Sequence, residues 1–382
     1  MLAKLFRSST KKKTVTFRVV NCVTSLVLMM AIFSVSCSSQ KEPVKIGAIL
    51  SLTGPGFYLQ EFRNGMEMAA DDINRTGGIN GHKIELIVED SKTTPEGGKA
   101  AFQKLEKEHN PLFYVVNMSS IAMATRDMAE EAKVPLIAAP TAAKNLLSGK
   151  EWIFRYWVTA QDETPPITNI LNKLNVNRLG VIYLDDPYGK SLFQQLEEDS
   201  SGKNRSIIGV SFPSNTKDFE TQIKEVQETD AIYIGGFASH ISMILTQIRA
   251  TGYSGHLLAT SGAADTSARK NPAFEGVYLA SPMIYNQAYP YTKELSEKYT
   301  SAYHLPLSHY AATGYDIVKL VAGLLSGQEL SRENVKKLLE QGYNFPGSMG
   351  DIRVVPGSHE INFQLYPAQI RQEKIHFLSN TL

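Results

Sequence analysis

Lys45-Ile-Gly-Ala-Ile-Leu-Ser51, the run from Phe62 to Asn74 and the run from Lys83 to Glu89 decide the fold. The first is a short apolar stretch of strand length. In the second, Phe62, Met66, Ala69, Ala70 and Ile73 recur at helical spacing and mark one buried face. The third alternates polar and apolar residues, as a half-exposed strand does. Gly54-Pro55-Gly56 marks a loop after the first run. Gly77-Gly78 stops the helix. Strand, helix, strand in this order is one unit of a parallel sheet.

The alternation continues outward. Pro95 to Glu108 reads as a helix with Ala101, Phe102 and Leu105 inward, and Leu112 to Val116 as a buried strand. Ser119-Ser120 opens another helix, and Val134 to Ala139 is a strand again. The cycle restarts with Leu179 to Leu184, a helix from about Tyr188, and strands near Ile207–Phe212 and Ala231–Ile234. A helix from Ser239 to Ala250 and strands near His256–Thr260 and Gly276–Ala280 follow. Helices of this length between strands imply parallel sheets covered on both faces. The units are too many for one core, so the expected fold class is α/β with two doubly wound parallel sheets.

The 382 residues are 43% hydrophobic and 20% charged, which excludes a disordered, collagen-like or disulfide-scaffold chain. Of the 39 lysines and arginines, six (Lys4, Arg7, Lys11, Lys12, Lys13 and Arg18) lie in residues 1–18, which hold no acid. The rest therefore carries 33 basic against 38 acidic residues, a mildly acidic body that argues against a nucleic-acid partner. The two cysteines, Cys22 and Cys37, both precede residue 38, so the body can form no internal disulfide.

After the basic stretch, Val19 to Phe33 supplies 15 mostly apolar residues, short of the ~20 that a bilayer span needs. Ser34-Val35-Ser36-Cys37-Ser38-Ser39 follows. Basic, apolar and then small residues is the order of an export signal. The segment resembles a bacterial lipoprotein signal, which implies cleavage after residue 36 and a lipid on Cys37. Ordinary secretion and an uncleaved anchor are the alternatives. Residues 37–43 then form a polar tether, and the body is expected in the periplasm or at the cell surface.

Catalytic signatures are sparse. Gly189-Lys190-Ser191 resembles the end of a phosphate loop, but Leu184 stands where that loop needs glycine. Gly54-Pro55-Gly56 lacks a third spaced glycine. Asp185-Asp186 suits a solvated turn better than a metal pair, and His304 and His309 read as surface histidines. No enzyme, cofactor or metal is expected. The positive signal lies at strand ends, where open parallel sheets bind ligands. Asn117-Met-Ser-Ser120, Pro140-Thr-Ala-Ala143, Gly235-Gly-Phe237 and Thr260-Ser-Gly262 are rich in glycine and small hydroxyl residues. Ser119-Ser120 begins a helix, whose unpaired first amides favour an anion. The alternative is that Ser120 is simply an N-cap.

Val44-Lys-Ile-Gly-Ala-Ile-Leu-Ser-Leu-Thr-Gly-Pro55, Asn64-Gly-Met-Glu-Met-Ala-Ala-Asp-Asp-Ile-Asn74 and Gly77-Gly-Ile-Asn-Gly81 resemble the N-terminal signature of type I periplasmic binding proteins. The likeness is to the leucine/isoleucine/valine-binding group that serves ABC importers. It continues through Met118-Ser-Ser120, Val134–Pro140, Tyr233-Ile-Gly-Gly236, Ala311-Ala-Thr-Gly-Tyr-Asp316 and Gly347-Ser-Met-Gly350. The resemblance implies two lobes joined by three hinge strands, crossing near Tyr156–Ala160, Ser281–Tyr285 and Ile361–Tyr366. The lobes would be 44–156 with 284–360, and 157–283 with 361–382. It implies a small-molecule ligand, an amino acid or a related carboxylate or amide, handed to ABC permease and ATPase subunits. A ligand-sensing receptor on the same frame is the alternative.

Carried over residue by residue, Ser119, Ser120, Thr141 and Ala143 would hold the ligand from the first lobe. Ala143 stands where the family often has threonine. Phe237 and the Ser261 position would hold it from the second. Beside the resemblance, place in the chain adds Tyr188, at the second lobe's strand-to-helix turn, Tyr285, at a crossing strand, and Tyr58 and Trp157 as apolar walls, with an exposed loop aromatic and core packing as the respective alternatives. Amino-acid binders of the family carry an acid near Ser261, opposite the ligand ammonium. Asp265 lies four residues further on and is the candidate substitute.

Overall fold

The computed structural model describes residues 41–54, 60–141, 143, 145–200 and 205–378. The export signal, Cys37 and Tyr58 lie outside the described residues. In the first sheet, β1 (Val44–Leu50), β2 (Ile84–Asp90), β3 (Phe113–Val116), β4 (Leu136–Ala138) and β5 (Ile153–Tyr156) are parallel and lie in the order β2-β1-β3-β4-β5. β13 (Glu360–Phe363) adds in parallel to β5, and β12 (Asp351–Val354) and β11 (Tyr343–Pro346) continue the edge antiparallel. In the second sheet, β6 (Arg178–Leu184), β7 (Ser206–Phe212), β8 (Ala231–Gly235), β9 (His256–Ala259) and β10 (Tyr278–Ser281) repeat the pattern as β7-β6-β8-β9-β10. β14 (Tyr366–Arg371) and β15 (Lys374–Phe377) close that edge antiparallel. Two α/β lobes result, as the alternation predicts.

The chain passes between the sheets three times. β5 ends at Tyr156, and α4 (Ala160–Lys173) packs on β10 and β14 of the second sheet. β10 ends at Ser281, and α8 (Pro290–Tyr303) touches α1 (Gln60–Arg75) beside the first sheet. β13 ends at Phe363 and β14 starts at Tyr366. Ile361 to Phe363, at the expected start of the second lobe, pair within the first sheet, because β13 lies between β5 and β12. Among the described residues, no helix is long and apolar enough to cross a membrane.

Helix α1 buries the stripe Phe62, Met66, Ala69, Ala70 and Ile73 against α9 (His309–Leu324), whose Ala311, Ala312 and Gly314 are equally buried. The two backbones approach closely. A methyl group added at Gly65 would overlap the Ala311 carbonyl, and one at Gly314 the Phe62 carbonyl. Asp316, on the same helix, is fully buried. It accepts the N–H groups of Ser348 at 2.9 Å and Met349 at 3.1 Å and the Tyr156 hydroxyl at 3.1 Å. That carboxylate fastens the Gly347–Gly350 turn onto α9 and β5. Burial pushes its pKa up to about 6 against these donors.

The α1–α9 contact predicts that Gly65→Val and Gly314→Val each lower the unfolding free energy by about 1–3 kcal/mol or more, through overpacking. Urea denaturation measures this. Unchanged midpoints in both variants would mean that the helices have room to spare.

Candidate functional site

Both sheets reverse their winding between the first and third parallel strands, at β1/β3 and at β6/β8. Helices leave the two strands towards opposite faces there, so a crevice opens at the carboxyl ends. In the first sheet that crevice is lined with small polar groups. Ser51, Ser91 and Asn117 end β1, β2 and β3 and are fully buried. Ser51 N–H donates to Asn117 Oδ1 at 2.9 Å, and the Ser51 and Ser91 hydroxyls share a hydrogen bond at 3.1 Å. Met118, at φ 69°, turns the chain into α3 (Ser119–Glu131).

Met118 stands at the N-cap of α3, and no side chain caps the helix. The N-cap alternative for Ser120 therefore fails: Ser119 and Ser120 are the first two helical residues, and Ser120 is exposed. Their amides have no partner within the helix. The Ser119 hydroxyl shares a 2.8 Å hydrogen bond with that of Thr141, which follows the cis Ala139–Pro140 bond. Ala143 N–H donates to Thr141 Oγ1 at 3.4 Å. The Ala143 carbonyl is held by Arg155 on β5 at 3.0 Å, and Arg155 is itself clamped by Glu360 on β13. Ser119, Thr141 and Ala143 thus form one cluster.

At the second reversal, Tyr188 lies in the first turn of α5 (Pro187–Ser200) and Phe237 precedes α7 (Ala238–Ala250). Phe237 is 64% exposed, one of few large apolar side chains so placed among the described residues. Ser261 opens a short turn after β9. Asp185 and Asp186 are structural here. Asp186 accepts Gly189 N–H at 2.7 Å, and Asp185 pairs with Lys190 at 2.6 Å.

Tyr188 and Ser261 meet on a residue the sequence reading did not single out. Glu163, on α4, is fully buried. Its Oε1 accepts the Tyr188 hydroxyl at 3.1 Å and the Ser261 hydroxyl, and both its oxygens accept Ser261 N–H at 3.2–3.3 Å. Burial pushes its pKa up to about 7, and these donors only partly offset that. The Tyr233 hydroxyl on β8 is buried without a partner among the described residues. One signal for Glu163 was present. It shares the buried stripe of α4 with Ile167, Ile170 and Leu171, a charge on an apolar face. The start of that helix is fixed by Thr159, whose N–H and hydroxyl both donate to Asp162 at 2.7 Å. Asn362 of β13 also donates to Asp162, which pins this turn to the first sheet.

The remaining expected residues lie near the crossings. Trp157 meets Phe363 edge-on at 5.7 Å and lies 6.3 Å from His309. His309 is not the surface histidine that the sequence suggested. It is half-buried against Trp157 and Tyr310, and burial pushes its pKa down to about 4. Asp265 Oδ1 is occupied by the N–H groups of Ser267 and Ala268, both at 2.9 Å, and by the Ser267 hydroxyl. Burial would raise its pKa, but those bonds hold it below the ordinary value. Tyr285 carries the Arg269 guanidinium 5.3 Å from its ring. It lines a cavity of about 620 Å³ with Arg269, Lys293 and Lys374 that none of the other expected residues reach.

Comparison with known proteins gives the same outline. Residues 43–374 match the periplasmic binding protein family. The Leu/Ile/Val-binding protein of Escherichia coli (strain K12) is 26% identical over 297 residues, covering 74% of this chain and 79% of that protein. An ABC transporter substrate-binding protein from Desulfitobacterium hafniense, solved in complex with Leu, superposes with TM-score 0.71 at 23% identity, over 88% of this chain and 100% of that one. A solute-binding protein of an ABC transporter from Rhodopseudomonas palustris BisB5, in complex with 3,4-dihydroxy benzoic acid, superposes with TM-score 0.72 at 19% identity, over 88% and 96%. At these identities the two structures establish the fold alone.

Glu163 has a consequence for stability. Between its ordinary value of 4.5 and about 7, the folded state holds a proton that the unfolded state releases. Its contribution to stability therefore falls as pH rises through that window and levels above it. Asp316 acts in the same direction up to about 6, and His309, with its lowered pKa, in the opposite direction. Subtracting the wild type from Glu163→Gln cancels both. The advantage of the variant in urea denaturation is expected to grow from pH 5 to about 7 and then plateau. A pH-independent difference would mean that Glu163 is not held neutral by burial.

Proposed function

The chain belongs to the periplasmic binding protein family, and from that premise we propose that it is the extracytoplasmic solute-binding protein of an ABC importer, taking an amino-acid-like solute with a carboxylate. It is a binding protein and not an enzyme. The observation that carries the proposal is the uncapped start of α3 beside the Ser119–Thr141 hydroxyl pair at the β1/β3 reversal. First-turn amides and hydroxyls are a ready site for a carboxylate. Ser120, exposed and next in the turn, supplies a further hydroxyl and N–H. Phe237 and Trp157 offer apolar surface to the rest of the solute.

Closure of the two lobes about the three crossings buries the solute from both sides, and the closed form is what the permease and ATPase subunits engage. A lipid on Cys37 holds the protein to the membrane. The name of the Escherichia coli relative supports a branched-chain amino acid as the first solute to try.

Thermal unfolding of residues 38–382 against amino acids, their deaminated acids, and amides tests this. A solute bound only by the folded state at 100 times its Kd adds about 2.7 kcal/mol. A shift with at least one carboxylate solute is expected, and Ser120→Ala is expected to weaken that binding about tenfold, the loss of one hydrogen bond to a charged group. Shifts with amides alone would overturn the carboxylate assignment. Cys37→Ser is expected to move the protein from the membrane to the soluble fraction. Retention of that variant in the membrane would overturn the lipid anchor.

A further inference from the structure

Ser261 stands where amino-acid binders of this family resemble one another in carrying an acid, and a serine cannot balance an ammonium. The structure nevertheless brings a carboxylate to that serine. Glu163 reaches it from 98 residues upstream and takes both its N–H and its hydroxyl. We propose that Glu163 is the counter-charge for an ammonium group on the solute, acting through the hydroxyls of Ser261 and Tyr188, so that the site selects an amino acid over its deaminated acid. The inference rests on the solute-binding reading above and names the solute class for the same site.

Three observations carry it. The first is the absence of any other partner for the charge. Among the described residues, no Lys, Arg or His bonds Glu163. β10, packed on α4, contains no charged residue, and the only one on β14, Arg371, donates to Gln369. On α5, Lys190 is paired with Asp185, and Asp199 is bonded by Thr168. The other ionisable groups facing Glu163 are Tyr188, Tyr233 and Asp162, and none of them is a cation. A buried carboxylate without a cation is unfavourable unless a cation arrives.

The second observation is the geometry of the donors. Tyr188 and Ser261 are half-buried while Glu163 is fully buried behind them. Each hydroxyl that donates inward to Glu163 keeps its oxygen lone pairs for a donor arriving from the solute side. The third is that one oxygen of the competing acid is taken up by its own turn. Asp265 Oδ1 caps the turn at Ser267 and Ala268.

Binding an ammonium then requires Glu163 to be ionised. With its pKa near 7, part of the population gives up a proton when the solute binds at neutral pH. The proton passes from the Glu163 carboxyl to the buffer, and no bond in the solute changes. Isothermal titration calorimetry at pH 7 in two buffers of different ionisation enthalpy counts that proton. The probes are L-leucine and 4-methyl-2-oxopentanoate, which share a carboxylate and a side chain and differ at the ammonium.

Leucine is expected to bind the wild-type protein with release of roughly half a proton, and the oxo acid with none released. Glu163→Gln is expected to abolish the release and to weaken leucine at least about tenfold while changing the oxo acid less than about threefold. Asp265→Asn is expected to leave the leucine affinity within about threefold. Binding of leucine without proton release, equal weakening of both probes by Glu163→Gln, or loss of the leucine preference in Asp265→Asn would each overturn the inference alone. Binding of neither probe would overturn the amino-acid reading and this inference with it. Should Glu163→Gln fail to fold, the wild-type proton count decides by itself.

Discussion

A parallel sheet delivers every carboxyl strand end to one edge, and where its winding reverses, two neighbouring strands send their chains to opposite faces. The gap left between those chains is the constraint on which the rest of this molecule depends. It occurs twice, at β1/β3 and at β6/β8, because both lobes share one strand order. The backbone amides exposed there cannot be satisfied by the sheet or by the helix that follows. Each reversal must therefore be furnished with small polar residues or with a solute. Ser119 and Ser120 at the first reversal and Gly235 and Gly236 at the second carry small side chains or none for that reason. Arg155 and Glu360 are clamped together for a related one: Arg155 holds the Ala143 carbonyl beside the first gap.

Two fully buried carboxylates, Asp316 and Glu163, show how the same electrostatic cost serves different ends. Neither meets a cation among the described residues, and burial raises the pKa of both. Asp316 is bonded by backbone N–H groups of Ser348 and Met349, which are fixed donors from a turn that has nowhere else to place them. Its role is closed within the fold, pinning the Gly347–Gly350 turn to the α1–α9 pair. Glu163 is bonded largely through the side chains of Tyr188 and Ser261, which lie on separate elements, after β6 and after β9. Hydroxyl donors rotate and accept as well as donate, so this carboxylate remains coupled to whatever occupies the gap.

Much of this was legible in the sequence, and what was not has a physical cause. Helical spacing at Phe62–Ile73 and the short apolar strands gave the two sheets directly, since period and length are local properties. The cluster of Ser119, Thr141 and Ala143 followed from strand ends and from family resemblance. Glu163 escaped because its partner Ser261 is 98 residues away and α4 contains Pro165 and Pro166, which mask its helical pattern. His309 escaped because it opens α9 and is covered in part by Trp157, which is far away in sequence at the first crossing. Ser120 was ambiguous between cap and site until Met118 was found in the cap position at φ 69°, a backbone conformation that local sequence does not announce. The late strands β11 to β15 extend one side of each sheet, short and mostly antiparallel, with weak periodic signatures of their own.

The frame by itself does not choose a solute. Structures that share it hold leucine in one case and 3,4-dihydroxy benzoic acid in another, at nearly the same TM-score. Both solutes bear a carboxylate, which suits a helix start such as that of α3. Only leucine bears an ammonium. On the inference drawn above, discrimination between such solutes arises in the second lobe, where a cation either finds a charge or is left desolvated without one. In this chain the residue at the expected position is a serine, and the carboxylate that bonds it stands on α4, after the first crossing. Position in the sequence is not what a binding site conserves physically. A carboxylate within hydrogen-bonding reach of the same serine imposes the same electrostatic requirement from α4. From there it is also tied, through Asp162 and Asn362, to the strand that passes between the lobes.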